Sequence, residues 1–191
     1  MRKVVFDIET RNIFQDVGSR DPSLLDISLV GIYDSDSDSY RGFLLEELPE
    51  LWPIIERADL LIGYNSEHFD LPLLNKYYHG TLSKIPHLDL LKEISEVLGR
   101  RISLNQIAEG TLGKKKLGNG LQAIEWWKKG DIESIRKYCL EDVKITKEIY
   151  EYALKNQKLK YKEAGKLMEI PLNTSGWDKK ENNALTFSLP F

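Results

Sequence analysis

A chain of 191 residues, 41% hydrophobic and 30% charged, has the size and make-up of one soluble domain with a sizeable core. Its formal net charge of −3 argues against a protein that coats nucleic acid by bulk electrostatics, and leaves room for an enzyme that grips a few phosphates locally. No apolar run approaches the roughly 20 residues needed to span a bilayer, so no membrane association is expected.

In chain order, residues 3–8 read as a buried strand, followed by a loop rich in Asp, Ser and Pro. Arg2 and Lys3 meet Asp7 before a signal-like apolar stretch can form, so the expected location is cytoplasmic. Leu29-Val30-Gly31-Ile32-Tyr33 reads as a second strand. Residues 34–39 alternate Asp and Ser as a hairpin turn, and 40–45 return as a third strand. A short helix over 49–57 leads to the compact buried strand Leu60-Leu61-Ile62-Gly63. Helical spacing of apolar residues covers 69–78 and again 88–98. Ser103-Leu104-Asn105-Gln106 matches a capping box and opens a helix that ends near Gly113. Asn119-Gly120 marks a turn. Asp131 is a good N-cap for a long helix over 132–154, with Ile135, Cys139, Thr146, Ile149 and Ala153 on its inner face. Cys139 is the single cysteine and has no internal disulfide partner, in agreement with a reducing compartment. After Asn156 the pattern weakens, so the domain is expected over 1–156, with 157–191 an extension or tail. Three early strands in a meander, followed by mixed strands and helices, give an α/β class with a mixed sheet.

The first strand carries the chemistry. Side chains alternate between strand faces, so Val4, Phe6 and Ile8 face one way and Asp7 and Glu9 the other. Two carboxylates side by side on a buried-type strand repel each other and cost desolvation. A cation between them removes both penalties, and oxygen-only ligands suit Mg²⁺ or Mn²⁺. Asp70 follows the fourth strand and begins a helix, where the dipole alone would favour an acid. Strand ends are also where open α/β sheets gather their sites. Asp142 lies one helical turn after Tyr138, on a face that also carries Ile135 and Cys139, so it should look inward.

Taken together, three motifs resemble the DEDD superfamily of 3′→5′ exonucleases, on the DnaQ-like branch of the RNase H fold. Phe6-Asp7-Ile8-Glu9-Thr10 is similar to the first. Asn65-Ser66-Glu67-His68-Phe69-Asp70 is similar to the second, Asn-x-x-x-Phe-Asp. Tyr138-Cys139-Leu140-Glu141-Asp142 is similar to the third in its Tyr-x-x-x-Asp, or DEDDy, form. The wording is nearest to the exonuclease domains of family B DNA polymerases and their stand-alone relatives, over about residues 3–154. No motif position departs from the pattern.

The resemblance implies an RNase H-like fold and two divalent cations, Mg²⁺ or Mn²⁺, held by Asp7, Glu9, Asp70 and Asp142, with Asp7 between them. Tyr138 would aim the attacking water, since a phenol titrates at about 10 and is a poor base near neutrality. The implied partner is the 3′ end of single-stranded DNA, or of RNA, with nucleoside 5′-monophosphates as products.

Substrate contacts follow more loosely. Thr10 and Asn65 sit beside the motifs and are candidates to touch the terminal nucleotide. Phe69 fits both a base-stacking wedge and a core residue. Lys114, Lys115 and Lys116 beside a Gly-rich turn would hold phosphates, although a solvated loop is the commoner meaning of such a run. Trp126-Trp127 is expected to pack on the long helix. Residues 34–38 begin like a calcium loop, but Ser39 and Leu45 replace its Gly and Glu. His68, His79 and His87 have no zinc spacing. Two other functions compete with a stand-alone exonuclease. One is a non-catalytic nucleic-acid-binding module, disfavoured because all four acids are present. The other is a proofreading subunit of a separate polymerase.

Overall fold

The computed structural model describes residues 1–114 and 120–178. Five strands form one mixed sheet: β1 (Lys3–Thr10), β2 (Ile27–Asp34), β3 (Ser39–Leu44), β4 (Leu60–Gly63) and β5 (His87–Asp89), in the order β3-β2-β1-β4-β5. The meander β1-β2-β3 is antiparallel, and β4 and β5 add in parallel on the other side of β1. The helices are α1 (Phe14–Val17), α2 (Leu48–Ile55), α3 (Asp70–Asn75), α4 (Leu90–Leu98), α5 (Leu104–Leu112), α6 (Gly120–Lys129) and α7 (Ile132–Asn156).

The sheet is covered on both faces, and strand alternation decides which residue goes where. Val4, Phe6 and Ile8 of β1 join Leu51, Leu73 and Leu74 of α2 and α3 in one core. Val5 joins Leu91, Ile107, Val143 and Ile149 of α4, α5 and α7 in the other. Asp7 and Glu9 share Val5's side, so they face α7. All eight residues of β2 are buried, as expected of a strand with both faces covered.

Helix α7 crosses the sheet unusually closely at Gly31, which pairs in register with Asp7. A Cβ at Gly31 would lie 2.7 Å from the Cys139 sulfur, so only glycine lets this helix turn approach so near. The start of α7 follows its sequence. Asp131 accepts from the Ser134 backbone N–H at 3.1 Å, and each residue assigned to the inner face is buried.

One local difference has a physical cause. The helix expected over 88–98 begins at Leu90, because His87–Asp89 pair with β4 as an edge strand. Of the turn expected at Asn119-Gly120, Asn119 lies outside the described residues, and Gly120 is the first residue of α6. Residues 158–171 form a hairpin of β6 (Lys158–Glu163) and β7 (Lys166–Pro171). Leu159, Tyr161, Ile170, Leu172 and Trp177 pack into the same core as α4, α5 and α7. The free edge of β6 is closed by one side chain. The Thr111 hydroxyl accepts from the Lys160 N–H at 2.9 Å and donates to the Lys160 carbonyl at 2.8 Å. Among the described residues, no helix is long and apolar enough to cross a membrane.

Candidate active site

At the C-terminal end of β1 lies a cavity of about 650 Å³. Its walls include Asp7, Glu9 and Thr10 of β1, Asn65 and Phe69 of the β4–α3 loop, Asp70 of α3, and Tyr138 and Asp142 of α7. The five residues assigned to catalysis therefore come from three elements distant in sequence and meet at one place. Glu9, Asp70 and Asp142 are only 7%, 4% and 2% exposed. One carboxylate oxygen each of Asp7 and Glu9 and the Cys139 sulfur lie within 4.8 Å of one another.

Burial holds the Asp70 carboxyl well above the usual carboxylate range, and the nearby charges of Asp7 and Asp89 push it further the same way. The backbone N–H groups of Ile8 and Asp70 pull it partly back. Cys139 is fully buried, and burial followed by the Asp7, Glu9 and Asp142 charges raises its thiol far above the ordinary value. It therefore stays neutral, with its sulfur 3.4 Å from the Asp7 carbonyl as a weak donor. With the thiol neutral, the donors left in that group are the Asp7 and Glu9 carboxylates, and Asp70 and Asp142 line the same cavity. That chemistry fits hard divalent cations.

Three aromatic contacts surround the cavity. Trp126 of α6 packs edge-on against the Tyr138 ring at 5.8 Å, and Gly120, Leu121 and Ile124 of the same helix line the cavity beside it. Trp127 lies under the Arg11 guanidinium at 4.3 Å, which ties α6 to the end of β1. Phe69 meets Phe14 of α1 edge-on at 6.0 Å, so it is both a wall of the site and a packed residue. Thr10 Oγ1 donates to the Asn12 carbonyl at 2.9 Å.

The β4–α3 loop is tied down at every residue from Tyr64 to Glu67. Tyr64 donates its hydroxyl to the Ile102 carbonyl at 2.8 Å. Asp89 accepts from the backbone N–H of Asn65 at 2.8 Å and of Glu67 at 3.0 Å. The same carboxylate caps α4 through the Leu91 N–H at 2.9 Å. Fully buried Ser66 contacts His87 Nε2 at 2.9 Å, a tether rather than a nucleophile because it has no access to solvent. Sequence reasoning missed Asp89, although an Asp just ahead of an apolar helical run is an N-cap signal.

Other candidates lie elsewhere. Lys114 pairs with Glu148 at 2.7 Å and does not line the cavity. Lys115 and Lys116 lie outside the described residues. His68 lines a neighbouring cavity instead of this one.

A mixed five-stranded sheet with acids at the end of its central strand defines an RNase H-like α/β protein. The RNase_H superfamily profile matches residues 4–154, and the chain belongs to that superfamily. Among solved structures, the chain is similar to the family B DNA polymerase of the hyperthermophilic archaeon Pyrobaculum calidifontis, with 20% identity and a TM-score of 0.62. That match covers 81% of this chain and 24% of the polymerase chain, and it speaks to the fold. No curated protein matches.

Proposed function

We propose that this protein is a metal-dependent 3′→5′ exonuclease acting on single-stranded nucleic acid, DNA before RNA, and releasing nucleoside 5′-monophosphates. One observation carries the reading: Asp7, Glu9, Asp70, Tyr138 and Asp142 wall a single cavity. Their agreement with the three DEDDy motifs, in order and without departure, supports the 3′→5′ direction.

The four carboxylates would hold two divalent cations, Mg²⁺ or Mn²⁺, which supply an activated water and offset charge on the scissile phosphate. The protein's own groups do the positioning. Tyr138, braced by Trp126, hydrogen-bonds the attacking water and aims it at phosphorus. Thr10 and Asn65 meet the terminal nucleotide from opposite motifs. Phe69, braced by Phe14, offers a ring face or edge to a base. By the motif resemblance, Asp7 would be the ligand shared by both cations.

Digestion of 5′-labelled single strands with Mg²⁺, Mn²⁺ or EDTA tests this. A ladder shortening from the 3′ end with metal, and none in EDTA, is expected. Asp7→Ala and Asp142→Ala should abolish cutting with the circular dichroism spectrum intact. Tyr138→Phe should lower kcat while leaving metal dependence near that of the wild type. Cuts within a circular single strand, or full activity of Asp7→Ala, would overturn the proposal.

A further inference from the structure

Asn65 adopts φ +67°, in the left-handed region where a residue other than glycine needs support from its surroundings. Two neighbours provide it. Asp89 holds the Asn65 backbone N–H, as described above. Arg101 Nη2 donates to the Asn65 side-chain oxygen. An asparagine amide has one oxygen face and one NH₂ face. With the oxygen committed to Arg101, the face left over is a pair of donors. Asn65 also lines three adjoining cavities: the site cavity, one of about 480 Å³ reaching Lys92 and Arg101, and one of about 360 Å³ reaching Ser103. It thus stands where the cavity of the carboxylates adjoins the two others.

We propose that Arg101 is a positioning residue that turns the Asn65 NH₂ toward the site cavity, as a donor to a phosphate oxygen of the bound strand. The ligand class rests on the exonuclease reading; the hierarchy does not. Asp89 sets the backbone, Arg101 sets the amide, and Asn65 touches the strand. The opposite assignment of the amide would present an oxygen to a polyanion and leave the Arg101 Nη2 donor facing an NH₂, which is unfavourable on both sides.

The rival arrangement is Arg101 itself on a phosphate, and binding measurements separate the two. A direct contact adds about 0.7 to the salt dependence of single-strand binding, whereas action through Asn65 adds nothing. The probe is a fluorescein-labelled single-stranded DNA with phosphorothioate linkages at its 3′ end, so that binding is read apart from cleavage. Anisotropy titrations with Mg²⁺ over a salt series would compare wild type, Arg101→Ala, Asn65→Gly and the double variant. Glycine is chosen at 65 because it keeps the left-handed backbone.

Each single change should weaken binding about tenfold, the size of a lost hydrogen bond to a charged group. The double variant should be no weaker than Asn65→Gly alone, and Arg101→Ala should keep the wild-type salt slope. With a cleavable strand, KM should rise in Arg101→Ala with kcat little changed. Additive losses, approaching a hundredfold in the double variant, or a salt slope reduced by about 0.7, would overturn the proposal. So would absence of binding by the wild type. Wild-type binding with the expected cycle but no cleavage would fault the exonuclease reading and leave the Arg101 assignment standing.

Discussion

Gly31→Ala tests whether the close seat of α7 on the sheet is what assembles the carboxylates. The added Cβ would lie 2.7 Å from Cys139 Sγ, 3.2 Å from Val143 Cγ2 and 3.3 Å from Leu140 Cδ2. The two longer contacts are tight but yield with small shifts of side-chain tips. The shortest does not, because Cys139 is fully buried and too short to swing aside. Overpacking of this kind costs about 1–3 kcal/mol. Removing a glycine returns about 0.7 kcal/mol through the unfolded chain, which against a mid-range cost of about 2 kcal/mol leaves a net loss of about 1.3 kcal/mol. At about 2–4 °C per kcal/mol for a chain of this size, Tm should fall by roughly 3–5 °C in a thermal melt. Turnover should fall further than stability, because a displacement of about 1 Å at a site can cost about a hundredfold in rate. Cys139→Ala removes the shortest contact, so in the Gly31→Ala background it should recover part of both losses. An unchanged Tm in Gly31→Ala, or a double variant no better than the single one, would refute the reasoning.

Two other perturbations follow from the geometry. Asp70 has a folded-state pKa raised by burial and by the Asp7 charge. Its stabilising contribution is therefore full below the unfolded value of about 3.9 and is lost as pH rises through the folded value. In metal-free protein, the Tm of Asp70→Asn minus that of the wild type should grow as pH rises from about 4, and a pH-independent difference would sink this account. Thr111→Val keeps shape but removes the group that closes the β6 edge, so denaturant unfolding should show a loss of about 1 kcal/mol, and no loss would mean that water replaces the hydroxyl without cost.

Much of this arrangement is readable from residue order. The alternation from Val4 to Glu9 separates apolar from acidic faces because a strand has a period of two, and the structure keeps that separation. The inner face of α7 is equally legible, since Asp131 marks its start and its apolar positions recur at helical spacing. What escapes are features that need a distant partner. β5 is only three residues long and runs straight into α4, so nothing local separates strand from helix. Asp89 looks like an ordinary N-cap, and its hold on Asn65 and Glu67 spans 24 and 22 residues. Helix α6 buries only Ala123 and Ile124, too few for a clear stripe. The β6–β7 hairpin alternates Lys158-Leu159-Lys160-Tyr161-Lys162, a strand pattern whose buried half makes sense only once α5 and α7 are in place.

The position of β1 gives the site an uneven durability. Asp7 and Glu9 pair with Gly31 and Leu29 of β2, but β4 pairs with β1 only over Lys3–Val5, and the β1–β2 ladder is irregular between Glu9 and Thr10. Amide exchange should therefore be slowest around Val4 and Val5 and faster toward Glu9, where a single neighbouring strand lets the backbone open locally. On warming, the acid end of β1 would loosen before its start, so the carboxylates would drift apart while the core still holds the fold.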